Sequence, residues 1–362
     1  MKKSSLLLVS AITLGLGACA STTAYQAAEK TSATAVISPI NTTYDTIWVR
    51  GKDSSVQSLE QVVEQLSTYD VVFFGEFHGH SGIHLAQMQV FEGLQSKNPA
   101  MTLSLEQIER DIQPLLDQYL NGEIGEKVLQ KDGRGWDNYE QSYRPLVEYA
   151  KINNLPVLAA NAPKDAVICV GKKGAEVLDK IPMPDRGWLA KELNLYEGPY
   201  RDKYLGFMGG SRAHGADTED AADSKKKKKS MDAGMAMAIR SFSAQVLRDD
   251  TMAETIAMHL QGNPERKVLH LTGSFHSESG LGTVERLLIR MPELKVAVIN
   301  PITVKDSQSP AWSEDEAKTG DFILLVNKTP PMFVNKDSER EYMNTMIRKR
   351  MKNKCVYTNK EA

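Results

Sequence analysis

Acidic and imidazole side chains occur at the ends of several short apolar runs in the sequence. They are Glu76, His78, Glu106 and His276. Carboxylates and imidazoles carry out general acid–base catalysis and hold metal ions. Each residue alone also has a structural explanation, as a helix cap or a satisfied core histidine. Because buried carboxylates are costly unless they are paired or bound to something, their repetition indicates a binding or catalytic site.

The apolar runs predict the strands that must position these residues. They cover residues 71–75, 101–105, 155–159 and 268–272, with 296–299 and 322–326 as two further candidates. Helical patterns lie between them, so the sequence predicts an α/β fold with a mostly parallel sheet flanked by helices on both faces. Parallel strands bring their carboxyl ends to one edge of a sheet, and we therefore expect the acidic and imidazole residues to converge there.

Three histidines form a second pattern where the next helix is predicted to begin. They are His78, His80 and His84. His84 falls in the first helical turn, where free N–H groups and the helix dipole favour an anion such as a propionate. The alternatives are solvent exposure for His80 and a structural role for His84.

Residues 182–248 interrupt the alternation and predict a smaller helical lid subdomain. Tyr200 and Tyr204 are one turn apart in it, and tyrosine phenolate is an axial ligand of haem iron in some proteins. An aromatic packing stripe is the alternative. Five consecutive lysines at 225–229 indicate a solvated loop or, alternatively, attraction to anionic lipid.

The amino terminus reads as a lipoprotein export signal over residues 1–18, with Lys2 and Lys3 before an apolar stretch. Cys19 follows small residues, as in a bacterial lipobox, and is the predicted lipidation site, with ordinary cleavage as the alternative. Residues 19–45 would form a membrane tether. We expect a protein anchored to the outer membrane of a Gram-negative bacterium rather than spanning it. Cys169 and Cys355 remain, and they either pair or stay free.

The composition excludes several classes of protein. The 362 residues carry 44 Lys and Arg against 46 Asp and Glu, a net charge of −2 that provides no basic surface for nucleic acid. The hydrophobic share of 41% is typical of a globular protein and fits neither wholesale disorder nor a multi-span membrane protein.

An ordered set of motifs resembles the ChaN-like haem-binding lipoproteins. The set covers roughly residues 68–301 and consists of Gly75-Glu76-x-His78, Leu105-Glu106, Tyr143-Arg144-Pro145, Ala159-Ala160-Asn161-Ala162-Pro163, Asp249-Asp250-Thr251-Met252-Ala253-Glu254 and Gly273-x-x-His276. That family is similar in fold to Tiki proteases and erythromycin esterases. The resemblance implies an α/β domain over residues 46–305 and leaves 306–362 as a carboxyl-terminal extension.

The resemblance also implies haem held noncovalently at a homodimer interface, in a protein of haem or iron acquisition. In such an arrangement Tyr from one subunit ligates iron and His from the other contacts the propionates. The residues expected to contact haem are His78, His84, Tyr200, Tyr204 and His276.

A metal-dependent hydrolase is the main alternative. Glu76, His78 and His276 would hold a divalent metal ion, and the remaining carboxylate, Glu106, would deprotonate a bound water. The sequence contains no His-Glu-x-x-His or Gly-x-Ser-x-Gly motif that would support this interpretation. A third alternative is an anchored scaffold in which the cluster has no chemical role.

Overall fold

The computed structural model describes residues 38–213 and 224–358. The strands are β1 (Thr46–Arg50), β2 (Ser55–Gln57), β3 (Val71–Glu76), β4 (Met101–Glu109), β5 (Val157–Asn161), β6 (Lys267–Gly273), β7 (Val296–Thr303) and β8 (Phe322–Val326). The α-helices are α1 (Leu59–Leu66), α2 (Ser81–Lys97), α3 (Gln113–Leu120), α4 (Glu126–Asp132), α5 (Tyr139–Ser142), α6 (Arg144–Ile152), α7 (Lys164–Lys173), α8 (Pro199–Ala213), α9 (Ser224–Gly262), α10 (Thr283–Arg290), α11 (Glu314–Ala317) and α12 (Lys336–Lys352).

The strands form one sheet in the order β2-β1-β8-β7-β3-β6-β4-β5. Strands β3 to β8 are parallel, and β1 pairs antiparallel with both β2 and β8. The predicted α/β class and all six predicted strands are confirmed. Strand β8 pairs with β7 although it lies beyond residue 305, so the α/β domain extends past the boundary predicted from the sequence.

The central strand β3 is buried along its whole length because helices cover both of its faces. On one face, Val72 and Phe74 share a core with residues of α2. On the other, Val71 and Phe73 pack in a core that α9 and α10 complete. Successive side chains of a strand point to opposite faces, so this strand contributes to two cores at once and its carboxyl end lies between them.

An acidic stretch of α9 holds part of the insertion by hydrogen bonds. The backbone N–H groups of Ala190, Lys191 and Asn194 donate to side chains of α9 at 3.2, 2.9 and 2.7 Å. The accepting residues, in the same order, are Thr251, Glu254 and Asp250. These bonds hold the segment that leads into α8. These bonds give a structural role to three residues of the Asp-Asp-Thr-x-x-Glu motif, Asp250, Thr251 and Glu254.

Cys169 of α7 and Cys355 form a disulfide, so the pairing that the sequence leaves open is present. The bond fixes the chain just after α12 to the body. The five lysines at 225–229 fall within α9. The predicted signal at 1–18, Cys19 and most of the predicted tether lie outside the described residues. In the part of the chain that the structure describes, no helix is both long and apolar enough to cross a membrane.

Candidate functional site

The cluster lies at the carboxyl edge of the sheet, where β3, β6 and β4 are neighbours. Glu76 at the end of β3 is in register with Gly273 at the end of β6, and β4 carries Glu106 on the other side of β6. The structure therefore brings Glu76, His78, Glu106 and His276 together. Asn161 at the end of β5 instead accepts a hydrogen bond from the Ala162 N–H at 2.8 Å.

Glu76 is a buried carboxylate that is surrounded by donors. Its Oε1 accepts from the Tyr143 hydroxyl at 2.5 Å, from His78 Nδ1 at 2.7 Å and from Gln107 Nε2 at 3.2 Å. Its Oε2 accepts from Gln87 Nε2 at 2.8 Å. Burial and the neighbouring Glu76 charge raise the pKa of Tyr143, which keeps that phenol protonated as a donor. Four donors therefore converge on this one carboxyl group.

His78 is the member of the cluster that solvent reaches most easily. Its side chain is 45% exposed, and because Nδ1 donates to Glu76, Nε2 is available to an external group. Burial lowers its pKa, but the hydrogen bond to Glu76 and the charges of Glu106 and Glu76 outweigh that effect and raise it. The ring lies edge-on to Trp136, with centroids 4.8 Å apart. Gly273 leaves room for it, since a Cβ there would lie 3.1 Å from Nε2.

A second imidazole–carboxylate pair is wholly buried. His276 Nδ1 lies 2.6 Å from Asp249 Oδ1, and Nε2 lies 3.4 Å from Glu106 Oε1. Asp249 also accepts from the Tyr200 hydroxyl at 2.6 Å and from Thr283 at 2.8 Å. Burial lowers the pKa of His276, whereas the Glu106 and Asp249 charges raise it by more. The geometry favours a protonated imidazole between two carboxylates.

Glu106 connects the two pairs. Its Oε2 accepts from the Thr272 hydroxyl at 2.6 Å and from the Gly273 N–H at 2.7 Å. Burial raises the pKa of Glu106, but the charges of His276 and His78, together with these hydrogen bonds, lower it to about 2. An ionised carboxylate therefore lies beneath the exposed imidazole of His78 and beside the buried imidazole of His276.

The two histidines that follow His78 are both buried. His84 accepts at Nε2 from the Gly79 N–H at 3.2 Å and donates from Nδ1 to Gln87 at 2.9 Å, and its contact with a propionate stays a prediction. His80 is buried rather than solvent-exposed, because it caps α2 and donates from Nε2 to the Asn327 carbonyl at 2.9 Å. Both ring nitrogens of His276 face carboxylates, and its contact with haem stays a prediction.

The two tyrosines of α8 differ in how far solvent reaches them. Tyr200 is 1% exposed, and burial together with Asp249 raises its pKa, which is the opposite of what an iron-binding phenolate requires. Burial therefore makes Tyr200 the less favourable of the two tyrosines, and its role as a haem ligand stays a prediction. Tyr204 is partly exposed, with its hydroxyl 2.6 Å from Ser241 Oγ. Its ring lies 5.5 Å from that of Phe242 and 5.9 Å from that of Phe275.

The structure gives no support to the predicted metal site of Glu76, His78 and His276. Within residues 38–213 and 224–358, no three His, Cys, Asp or Glu side chains form a group that could hold a metal ion.

Sequence reasoning did not assign roles to Gln87, Gln107, Trp136 or Asp249. Asp249 stood only inside a motif, and its position in the middle of a long helix gives no local sign of a bond to His276. Gln87 follows His84 by three residues, a helical spacing that would have placed the two on one face. No pattern in the sequence marks Trp136.

Fold and site together define an α/β protein with a polar cluster at the carboxyl edge of its parallel sheet and a helical insertion beside it. The family model for the haem-binding uptake proteins of the Tiki superfamily, ChaN, matches residues 62–287. The chain belongs to this family. No curated protein matches the sequence.

Several solved structures are similar to this chain at low sequence identity, and the first of them shares its fold. ChaN of Campylobacter jejuni, described as binding haem cofacially, is 15% identical with a TM-score of 0.54, over 78% of this chain and 98% of that one. An erythromycin esterase in its open conformation is 14% identical with a TM-score of 0.39, over 82% and 86% of the two chains. A Bacillus cereus protein is 12% identical with a TM-score of 0.42, over 82% and 96%.

Proposed function

We propose that the chain binds haem noncovalently beside α8, with Tyr204 as the iron ligand. The observation that carries this proposal is the partly exposed side chain of Tyr204, which packs on the rings of Phe242 and Phe275. Phe207, one turn further along α8, is 61% exposed, and its ring lies 5.7 Å from that of Phe275. Exposed aromatic side chains suit the face of a flat apolar macrocycle. Membership of a haem-binding uptake family supports the same conclusion.

The donor set fits haem. Bound haem would supply an iron that accepts a phenolate oxygen. A hydrogen bond donated by Ser241 would stabilise the deprotonated oxygen of Tyr204. Lys203 holds its ammonium 4.5 Å from the centroid of the Phe275 ring and 3.0 Å from Glu278 Oε2, so this cation is already paired within the protein. His78 packs against Gly273 and the Tyr204 ring packs against Phe275, so both candidates contact residues 273–276.

Titration of the purified apoprotein with hemin tests this proposal. The wild-type chain should give a saturable Soret shift, and both Tyr204→Phe and Phe207→Ser should weaken binding at least tenfold. Ile152→Ser is the matched control, since Ile152 is an exposed apolar residue of α6 outside this surface. A wild-type chain that shows no shift, or a Tyr204→Phe chain with unchanged affinity, would refute the assignment.

We further propose that the protein is an outer-membrane lipoprotein of haem or iron acquisition, anchored through Cys19, and that two copies associate around haem. The lipobox-like sequence supports the anchor. Labelled palmitate should enter the wild-type chain and not Cys19→Ala. Sedimentation velocity with and without hemin should show association that depends on haem, and a constant monomer would contradict it.

A second candidate function is hydrolysis without a metal ion. It is favoured by one observation: His78 is exposed, with Nδ1 held by Glu76 and Nε2 available to take a proton from water. A panel of ester and amide substrates in the presence of a chelator tests it. Activity that survives chelation and falls at least 100-fold in His78→Gln supports the candidate, and activity unchanged in that variant excludes this site.

A further inference from the structure

Helix α12 carries an apolar stripe that nothing in the described chain covers. None of its 17 residues is buried. Met343, Ile347 and Met351 are 50%, 50% and 73% exposed and, four residues apart, share one face. Met332 and Val334 just before the helix are exposed as well. Since helices in water gain most of their stability from packing an apolar face, this stripe indicates a surface that another structure covers.

The charge of the same segment points to the chemistry of that structure. Five basic residues follow the centre of the helix, and no acidic residue occurs between Glu341 and residue 358. They are Arg348, Lys349, Arg350, Lys352 and Lys354. The whole chain has a net charge of −2, so this end of the molecule is locally positive on a slightly acidic protein. Such asymmetry is typical of proteins that contact an anionic surface.

The chain holds α12 at both ends. Before it, β8 is paired in the sheet, and the Asn327 carbonyl accepts a hydrogen bond from His80. After it, Cys355 is bonded to Cys169, and Lys172 Nζ donates to the Met351 carbonyl at 3.3 Å. The chain on both sides of α12 is therefore attached to the body, and the helix can meet a flat partner without leaving the protein.

We propose that the carboxyl-terminal half of α12 is a peripheral binding surface for anionic phospholipid bilayers. Met343, Ile347 and Met351 enter the boundary between headgroups and acyl chains, and the basic side chains lie among the headgroups. Long Arg and Lys side chains can pack their stems on the lipid while their charges stay in water. The contact would orient the body against the membrane independently of any lipid on Cys19, and it does not depend on haem binding.

A second copy of the chain is the less favourable occupant. Two copies that met through this half of the helix would bring five positive charges on each side together. A bilayer that contains phosphatidylglycerol offers complementary charge over the whole length of the stripe.

Vesicle co-sedimentation of the chain from residue 20 tests the proposal. This chain retains every described element and lacks Cys19. It should bind vesicles of mixed phosphatidylcholine and phosphatidylglycerol and dissociate from them as the salt concentration increases. It should not bind vesicles of pure phosphatidylcholine. Joint replacement of Arg348, Lys349 and Arg350 by Gln should lower the partition coefficient about 100-fold, at roughly a factor of five per charge. Joint replacement of Met343, Ile347 and Met351 by Ser should also reduce it.

The matched control replaces three exposed lysines elsewhere, Lys52, Lys127 and Lys131, by Gln, and it should bind like the parent chain. Urea unfolding followed by tryptophan fluorescence shows whether each variant remains folded. The proposal is overturned if the parent chain does not bind anionic vesicles or if the α12 charge variant binds as well as the control. A dimer in sedimentation velocity that is lost in the Met343, Ile347 and Met351 variant, without vesicle binding by the parent, overturns it in favour of a second copy.

Discussion

Replacing Glu106 with Gln should destabilise the protein in a strongly pH-dependent way. The carboxylate is buried, accepts hydrogen bonds from Thr272 and Gly273, and lies 3.4 Å from His276 Nε2. Gln keeps the shape of the side chain but removes the charge, so His276 loses one of its two neighbouring carboxylates. Breaking a buried pair in this way costs several kcal/mol, because the charge that remains is no longer compensated.

The magnitude follows from the pKa of Glu106, which falls from 4.5 to about 2 on folding. A group whose pKa is lowered by folding stabilises the native state above its unfolded pKa and loses that contribution as the pH falls through the folded value. At 1.36 kcal/mol per unit, the contribution is about 3 kcal/mol at pH 7 and about 1.5 kcal/mol at pH 3. The difference in unfolding free energy between wild type and Glu106→Gln should therefore shrink by roughly half over this interval.

Urea unfolding at pH 7, 5 and 3 measures this difference. Glu293→Gln is the control, because Glu293 is exposed and its replacement removes the same charge outside the cluster. A difference between wild type and Glu106→Gln that is the same at pH 7 and pH 3 would refute the conclusion that the neighbouring imidazoles and donors hold Glu106 ionised.

Three other substitutions test individual contacts. Gly282→Ala should lower the free energy of unfolding by about 2 kcal/mol or more, because Gly282 has φ +62° and an added Cβ would lie 2.5 Å from the His276 carbonyl oxygen. Gly262→Ala is the control, since Gly262 has open space around it, and it should lower the free energy of unfolding far less in the same urea assay. Tyr200→Phe should lower the free energy of unfolding by about 1–3 kcal/mol, because Asp249 loses a buried hydrogen-bond donor, and it should leave the hemin affinity unchanged. A tenfold loss of hemin affinity would instead indicate that Tyr200 is a haem ligand. Replacing Cys169 and Cys355 together by Ser should make trypsin cleave α12 faster than in wild type, and an unchanged cleavage rate would show that the disulfide does not hold the helix.

The sheet and the place where its polar residues meet could be predicted because both follow from local patterns. Apolar runs marked six strands, and parallel direction alone brought Glu76, Glu106 and His276 to one edge. Strand β2 has only three residues, and the apolar residues of β1 are bounded by Thr46 and Arg50, so neither forms an apolar run as long as those that marked the other strands. The order of the strands depends on long-range pairing, which no local window records.

The sequence could not predict which side chains remain available to bind a ligand, because this depends on hydrogen-bond partners that are distant in the sequence. Tyr200 and Tyr204 have the same residue type and lie one turn apart, yet Asp249, 49 residues from Tyr200, occupies the hydroxyl of Tyr200. His84 has a suitable position in the first turn of α2, but Gly79 and Gln87 use both of its nitrogens. Spacing in the sequence identified these candidate residues, whereas burial and hydrogen bonding distinguish them in the structure.

The central claim is that Tyr204, and not Tyr200, supplies the phenolate that binds haem iron. Resonance Raman spectroscopy of the ferric complexes tests it most directly, because the bands of an iron-bound phenolate are observed separately from overall affinity. Wild type and Tyr200→Phe should both show these bands, and Tyr204→Phe should lack them. Phenolate bands that persist in Tyr204→Phe, or that are absent from the wild-type complex, would contradict the account.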